Sequence, residues 1–100
     1  MTKPRINIPE ESIESFCRRY QIRRLALFGS VLRDDFRPDS DVDVLVVFKT
    51  NAGIGFMTLG RMKRELSEIL HHPVDLVPQD GLKPTIRDSV LSSALEVYAA

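Results

Sequence analysis

The feature that most constrains this chain is residues 27–48, where a turn-rich insert separates two apolar segments. The first segment ends in Gly29-Ser30, and the second opens with Asp41-Val42-Asp43. An acidic side chain inside an apolar strand is costly unless another group stabilises its charge. Because Asp43 lies within the longest β-branched run of the chain, the pattern predicts a central strand that carries a functional carboxylate.

Length and charge exclude several classes of protein. A chain of 100 residues is expected to form one domain over residues 1–100. Its 14 basic and 14 acidic residues balance, so the composition predicts neither direct nucleic-acid binding nor attraction to an anionic membrane. With one cysteine, no secretory leader pattern and no apolar run of about 18 residues, we expect a cytoplasmic protein without a membrane span.

Apolar periodicity predicts alternating helices and strands. Helices are expected to begin near Pro9, to span residues 56–71 and to follow Pro84, and strands are expected at residues 25–28, 42–48 and 74–77. Residues 95–98 fit either a continuation of the last helix or a further short strand. This order predicts the α/β (α+β) class, with helices packed on a small mixed β-sheet.

Several side chains outside this pattern have ordinary structural interpretations. Cys17 lies on the apolar stripe of the first helix, and Phe56, Met57 and Met62 are interpreted as packing residues of the second. The adjacent His71 and His72 point in different directions on a helix, which favours capping or surface roles over metal binding. The arginines at positions 18, 19, 23 and 24 either match a helix dipole or form a rim that attracts an anion.

The chemistry is concentrated in three acids. Residues two apart on a strand face the same way, about 6.5–7 Å apart, so Asp41 and Asp43 can bind one or two Mg²⁺ ions about 3.5–4 Å apart. A solvated turn before the strand would explain Asp41 equally well, but it explains Asp43 poorly. Asp75 lies within a later apolar segment, where it either completes the metal site or faces water on an edge strand.

Gly29 and Ser30 provide a second element of the candidate site. A glycine that ends a strand lets the backbone approach a ligand closely, and a serine at a helix start adds a hydroxyl and the positive end of a dipole. Residues 31–33 could begin that helix, with Ser30 near its N-cap. The pattern predicts a phosphate-binding turn; the alternative is a simple connection from strand to helix.

Gly29-Ser30, ten intervening residues and then Asp41-x-Asp43 resemble the signature of the polymerase-beta-like nucleotidyltransferases. The later strand acid of that family matches Asp75. The resemblance runs from about residue 22 to residue 98 and is closest to the minimal nucleotidyltransferases of bacteria and archaea. It implies a polymerase-beta-like palm without a separate domain for the nucleobase or the acceptor.

The resemblance also implies roles for individual residues. Gly29 and Ser30 would bind the triphosphate of ATP, with Arg33 and Ser40 as further nucleotide-binding residues. The three acids, Asp41, Asp43 and Asp75, would bind Mg²⁺, and Asp75 would also align or activate the acceptor hydroxyl.

The sequence leaves open the role of Arg33 and the access to the phosphate site. Arg33 could instead form a surface ion pair with Asp34 or Asp35. Leu32 and Asp34 occupy positions where members of the family often have a small residue and a glycine, which could alter access to the phosphate site.

Minimal members of this family are often encoded beside a helical HEPN-type ribonuclease toxin. The resemblance therefore implies an antitoxin that transfers AMP from ATP to a tyrosine hydroxyl of that partner. An antitoxin that masks its toxin by contact alone is the alternative. An enzyme that modifies a small molecule such as an aminoglycoside, and a domain without catalysis, remain further interpretations, and a homo-oligomer is left open.

Overall fold

A four-stranded sheet with the strand order β3-β2-β1-β4 forms the centre of the molecule. The computed structural model describes residues 6–34 and 36–100. Asp35, one of the two possible ion-pair partners of Arg33, therefore lies outside the described residues. The strands are β1 (Ile22–Phe28), β2 (Val42–Phe48), β3 (Val74–Pro78) and β4 (Leu95–Ala99). The helices are α1 (Glu10–Arg19), α2 (Phe56–Leu70) and α3 (Pro84–Ser93), with short 3₁₀ helices at Gly29–Leu32 and Gln79–Gly81.

The sheet is mixed, as the sequence predicts. Strand β1 pairs antiparallel with β2 and with β4, whereas β2 and β3 pair in parallel and are connected through α2. Residues 95–99 form β4 rather than extending α3, because the helix ends at Ser93 and Ala94 has an extended backbone. The ends of the strands that carry the candidate residues meet at one side of the sheet.

Both faces of β2 are covered, and they are covered by different helices. Val42, Val44 and Val46 belong to the larger core, which also contains the buried apolar side chains of α1 and α2. The opposite face carries a smaller cluster of Ala26, Leu45 and Leu82, against which residues of α3 pack. Because side chains alternate along a strand, Asp43 lies on the same face as Leu45, towards α3.

The packing prediction for the first turn of α2 is wrong. Phe56 is 92% exposed and Met57 is 90% exposed, whereas Met62 is fully buried. The helix begins at Phe56, but its apolar stripe first reaches the core at Leu59. The periodicity correctly indicates a helix. It does not show that the first turn of this helix extends beyond the part of the sheet that the helix covers.

The structural interpretations of Cys17 and His71 agree with the fold. Cys17 is buried in the core, and burial raises the pKa of its thiol to about 12. His71 occupies the left-handed position that ends α2, with φ of 57°, and its side chain is exposed. Ion pairs join Arg18 to Glu14, Arg19 to Glu65 and Arg24 to Glu96, so these arginines are matched by nearby acids. Among the described helices, none is long and apolar enough to cross a membrane.

Candidate active site

Gly29 turns the chain directly against the carboxylate of Asp43. Its φ of +77° is a backbone conformation that side-chain-bearing residues rarely adopt. A Cβ atom at this position would overlap Oδ2 of Asp43 and lie 3.3 Å from its Cγ. Glycine is therefore required here both for the backbone conformation and for the close approach, which brings the backbone of the turn next to the acid.

The 3₁₀ helix after β1 differs from the sequence prediction. It begins at Gly29 and ends at Leu32, so Ser30 lies inside it and no side chain caps its start. Four residues of 3₁₀ helix cannot develop the dipole of a long α-helix, so the predicted dipole contribution is wrong. An anion held here would depend on backbone N–H groups and on the Ser30 hydroxyl.

Strand pairing brings two of the three predicted acids together. Asp43 is paired with Phe28 on β1 and with Asp75 on β3. Paired residues on neighbouring parallel strands face the same side of the sheet at a backbone separation of about 4.8 Å. Asp43 is half-buried and Asp75 is exposed on the edge strand. Asp75 thus faces water, as one of its two interpretations predicts, and it also lies beside Asp43.

The electrostatics of Asp43 favour a nearby cation. Burial raises the pKa of its carboxyl group, the negative charges of Asp75 and Asp41 raise it further, and Arg33 opposes them. A divalent cation would offset both the burial and the repulsion, so the oxygen donors fit Mg²⁺ chemically. Among the described residues, however, no three His, Cys, Asp or Glu side chains are close enough to form a metal site. The remaining ligands would have to come from water or phosphate.

A tight turn ends at Ser40, and Asp41 follows it directly before β2. The backbone N–H of Ser40 donates to the carbonyl of Arg37 at 2.9 Å, and the backbone N–H of Arg37 donates to the Ser40 hydroxyl at 3.1 Å. The N–H of Val42 then donates to the carbonyl of Pro73 at 2.8 Å. Ser40 therefore has a clear role in holding the turn, while its hydroxyl proton remains able to donate.

Two cavities meet at Phe28 beside these residues, and α3 lines both. The first, of about 550 Å³, is lined by Phe28, Asp43, Asp75, Val77, Gly81, Leu82, Lys83, Thr85 and Ile86. The second, of about 370 Å³, is lined by Phe28, Gly29, Leu32, Arg33, Ser89, Val90 and Ser93. The acids and the glycine turn thus open onto two adjoining spaces.

The contribution of α3 to these cavities was not predicted. A signal was present in the sequence, because Thr85, Ser89 and Ser93 recur every fourth residue and so share one face of the helix. Sequence alone does not show which sheet face a helix will cover, so this pattern could not be connected to the acids.

Comparison with known proteins agrees with this architecture. Residues 9–97 match the model of the nucleotidyltransferase domain family. A protein of Methanocaldococcus jannaschii, provisionally named a protein adenylyltransferase, is 32% identical over 92% of this chain and 97% of its own length. The protein adenylyltransferase MntA of Thermococcus cleftensis is 33% identical over 79% of this chain and 78% of its own length.

Solved structures share the same fold. One that is provisionally described as a minimal nucleotidyltransferase has a TM-score of 0.72 and 38% identity, over 86% of both chains. A chain of the complex between a tri-AMPylated Shewanella oneidensis HEPN toxin and an MNT antitoxin has a TM-score of 0.65. It is 18% identical and is matched over 91% of this chain and 70% of its own length, which shows a common fold.

Proposed function

This chain belongs to the nucleotidyltransferase domain family as a minimal, polymerase-beta-like member, and from that premise we propose that it transfers AMP from ATP to a hydroxyl of a partner protein. The pairing of Asp43 with Asp75, with Gly29 against the Asp43 carboxylate, carries this proposal. The arrangement puts the Gly29 turn, a half-buried acid and an exposed acid within one small site.

The proposed reaction needs few protein groups. The acceptor oxygen attacks the α-phosphorus of ATP, the bond from that phosphorus to the bridging oxygen breaks, and pyrophosphate leaves in line with the attack. Asp75, the exposed acid, accepts the proton of the acceptor hydroxyl. The backbone of Gly29 and the hydroxyl of Ser30 hold the phosphates, with Arg33 and Ser40 as further contacts. Asp43 and Asp75 would hold Mg²⁺ together with oxygens of water or phosphate, and the ion would supply positive charge to the phosphates when bound. Asp41, the third predicted ligand, is exposed and lies directly before β2.

The cavity beside Asp75 supports an apolar or aromatic acceptor. Its lining combines the apolar side chains of Val77, Leu82 and Ile86 with the two acids, Asp43 and Asp75. A phenol matches this lining, because its ring prefers apolar contacts and its hydroxyl reaches a carboxylate. The ordinary pKa of a tyrosine, about 10, also makes its proton easier to remove than that of an aliphatic alcohol.

We identify the partner as a HEPN-type toxin and the chain as its antitoxin. The support is the name of the MntA relative, a protein adenylyltransferase, together with the fold shared with a chain of a HEPN toxin–antitoxin complex. A tyrosine of the toxin would enter the cavity beside Asp75, and its modification would inactivate the toxin.

The direct test is transfer to the protein encoded beside this chain. That neighbour is incubated with ATP, Mg²⁺ and the wild-type protein, and its intact mass and modified residue are measured. We expect AMP on a tyrosine with the wild type, and at least a hundredfold slower transfer with Asp43→Asn or Asp75→Asn. Asp39→Asn is the matched control, because Asp39 is an exposed acid in the turn that precedes β2.

The same assay separates the two antitoxin hypotheses. If the neighbour gains no AMP while Asp43→Asn still neutralises its toxicity in cells, neutralisation occurs by contact alone and the transfer proposal is wrong. If neutralisation is lost with Asp43→Asn and retained with Asp39→Asn, catalysis is required.

A further inference from the structure

We propose that Ser89 and Ser93 of α3 bind the terminal phosphates of the nucleotide, forming a wall opposite Gly29 and Arg33. This inference rests on the proposed use of ATP and assigns two ligands that the sequence motif of the family does not include. Helix α3 would then have a direct role in substrate binding besides covering one face of the sheet.

The first support is the lining and the size of the smaller cavity. Ser89 and Ser93 are one helical turn apart, so their side chains lie on the same side of α3. That side borders a space of about 370 Å³, which Gly29 and Arg33 also line. This volume is within the range of small-molecule sites, about 300–1,000 Å³. The glycine turn and the two serines thus border a common space that could hold part of a nucleotide.

The second support is the chemistry of the lining. Its polar groups are the backbone of the glycine turn, the guanidinium of Arg33 and the two serine hydroxyls, and no described carboxylate lines it. N–H, guanidinium and hydroxyl groups all donate hydrogen bonds, which phosphate oxygens accept. The acids line the other cavity, where an acceptor hydroxyl must lose its proton. The two linings therefore assign the phosphate tail to the smaller cavity and the acceptor to the larger one.

The two hydroxyls are also available for this role. The hydroxyl of Ser93 donates to the carbonyl of Ser89 at 3.0 Å, a bond within the helix that a rotation about the side-chain torsion can exchange for a phosphate oxygen. Within the described part of the chain, no hydrogen bond is made by the hydroxyl of Ser89. Both serines are exposed, so a ligand can reach them without opening the core.

Ser92 provides a closely matched control. Its hydroxyl donates to the same Ser89 carbonyl at 3.0 Å and Ser92 is also exposed, but it does not line the cavity. Replacing any of these serines by alanine removes one hydroxyl from an exposed helical position where alanine is a better helix former. The variants should therefore fold alike, which equal thermal melting curves would verify.

The test measures the affinity of the full chain for ATP and for AMP by calorimetry in the presence of Mg²⁺. We expect the double variant Ser89→Ala/Ser93→Ala to bind ATP about tenfold more weakly and AMP as tightly as the wild type. Ser92→Ala should match the wild type for both ligands. Only the loss of a contact to the terminal phosphates lowers the affinity for ATP without lowering the affinity for AMP.

Three outcomes would overturn the assignment. If the double variant binds ATP as tightly as Ser92→Ala does, the serines do not contact the nucleotide, and the proposed AMP transfer remains supported by its own assay. If ATP and AMP lose affinity by the same factor, the serines contact the part that the two ligands share, the nucleoside or the α-phosphate, instead of the terminal phosphates. If the wild type binds no ATP, this assignment and the proposed use of ATP both fail.

Discussion

Asp43 and Asp75 are paired residues on the adjacent parallel strands β2 and β3, so both carboxylates face the same side of the sheet. A register shifted by one residue would turn one of the two carboxylates to the opposite face of the sheet. The pairing explains why burial is not the only cause of the raised pKa of Asp43, since the charges of Asp75 and Asp41 add to it. Without a cation, the repulsion among these carboxylates destabilises the folded protein. Such repulsion is expected at a site that binds a cation, alone or together with phosphate.

We expect Asp43→Asn to stabilise the protein when divalent cations are absent. The pKa of this carboxyl group is raised above its ordinary value of 3.8, so the folded state holds the proton more tightly than the unfolded state does. The Asp43 carboxyl group therefore contributes to stability below pH 3.8, where it is protonated. This contribution is lost as the pH rises through the pKa that the group has in the folded state. Thermal melting in a chelating buffer should show a larger advantage of Asp43→Asn at pH 7 than at pH 4.

Asp39→Asn provides the comparison for this measurement, because it removes an exposed acid from the preceding turn. It should change the melting temperature little, and its effect should not grow between the two pH values. If Asp43→Asn is less stable than the wild type at pH 7, the ionised carboxylate stabilises the fold. That result would contradict the expectation that burial and the neighbouring acids destabilise its charged form.

Gly29 and Gly53 form a second matched pair. Both have a positive φ, 77° and 67°, but only at Gly29 would a Cβ atom meet another group, the carboxylate of Asp43. Gly53→Ala should lower the free energy of unfolding by about 1–2 kcal/mol through backbone strain alone. Gly29→Ala should cost more than this and abolish transfer, because the added carbon displaces the Asp43 side chain.

Urea denaturation and the transfer assay on the two alanine variants test this difference. Equal stability losses and equal activities would show that the contact between Gly29 and Asp43 has no importance beyond backbone conformation.

The interface of α1 with α2 should affect stability without affecting catalysis. The hydroxyl of Tyr20 donates to Oε2 of Glu65 at 2.5 Å, and Arg19 forms an ion pair with the same carboxylate. Tyr20→Phe removes the hydroxyl and keeps the ring, so we expect a loss of about 1 kcal/mol in the free energy of unfolding. Transfer measured below the melting temperature should be unchanged, and a specific loss of activity would show that this interface is coupled to the site.

The sequence predicts most of the fold, because apolar periodicity and turn residues locate the three α-helices and the first three strands, although not the 3₁₀ helix at Gln79–Gly81. Residues 95–98 stayed ambiguous, since a short apolar segment fits both a helix end and an edge strand. The order of the strands in the sheet depends on contacts between distant segments, which periodicity does not report. The predicted mixed sheet is confirmed, whereas the burial of Phe56 and Met57 is not.

The exposed start of α2 yields a further comparison. Phe56→Ser/Met57→Ser should change the free energy of unfolding by less than about 1 kcal/mol, because neither side chain packs against the core. Met62→Ala should cost about 2–5 kcal/mol, because Met62 is fully buried on the same helix. Urea denaturation of both variants provides the check, and a large loss in the double variant would mean that the first turn of α2 packs against the protein.

The acids and the glycine turn of the candidate site can be predicted from the sequence, but the part of α3 that lines the adjoining cavities cannot. An acid within an apolar strand is a local signal, so Asp43 and Asp75 can be identified from their neighbours. Ser89 and Ser93, which line the same cavity as Gly29, are ordinary exposed serines one helical turn apart, and only the fold brings them to that cavity. The dipole predicted at Ser30 failed for a related reason, because sequence does not distinguish a four-residue 3₁₀ helix from the start of an α-helix.

The most direct measurement of the central claim uses ATP labelled at either the α-phosphate or the γ-phosphate, with Mg²⁺ and the neighbouring protein as acceptor. Nucleotidyl transfer moves the α-phosphorus to the acceptor and releases the γ-phosphorus in pyrophosphate. We expect the acceptor to carry label only from α-labelled ATP, and to carry almost none with Asp43→Asn. Label from γ-labelled ATP on the acceptor, or equal α-labelling by wild type and Asp43→Asn, would contradict the account.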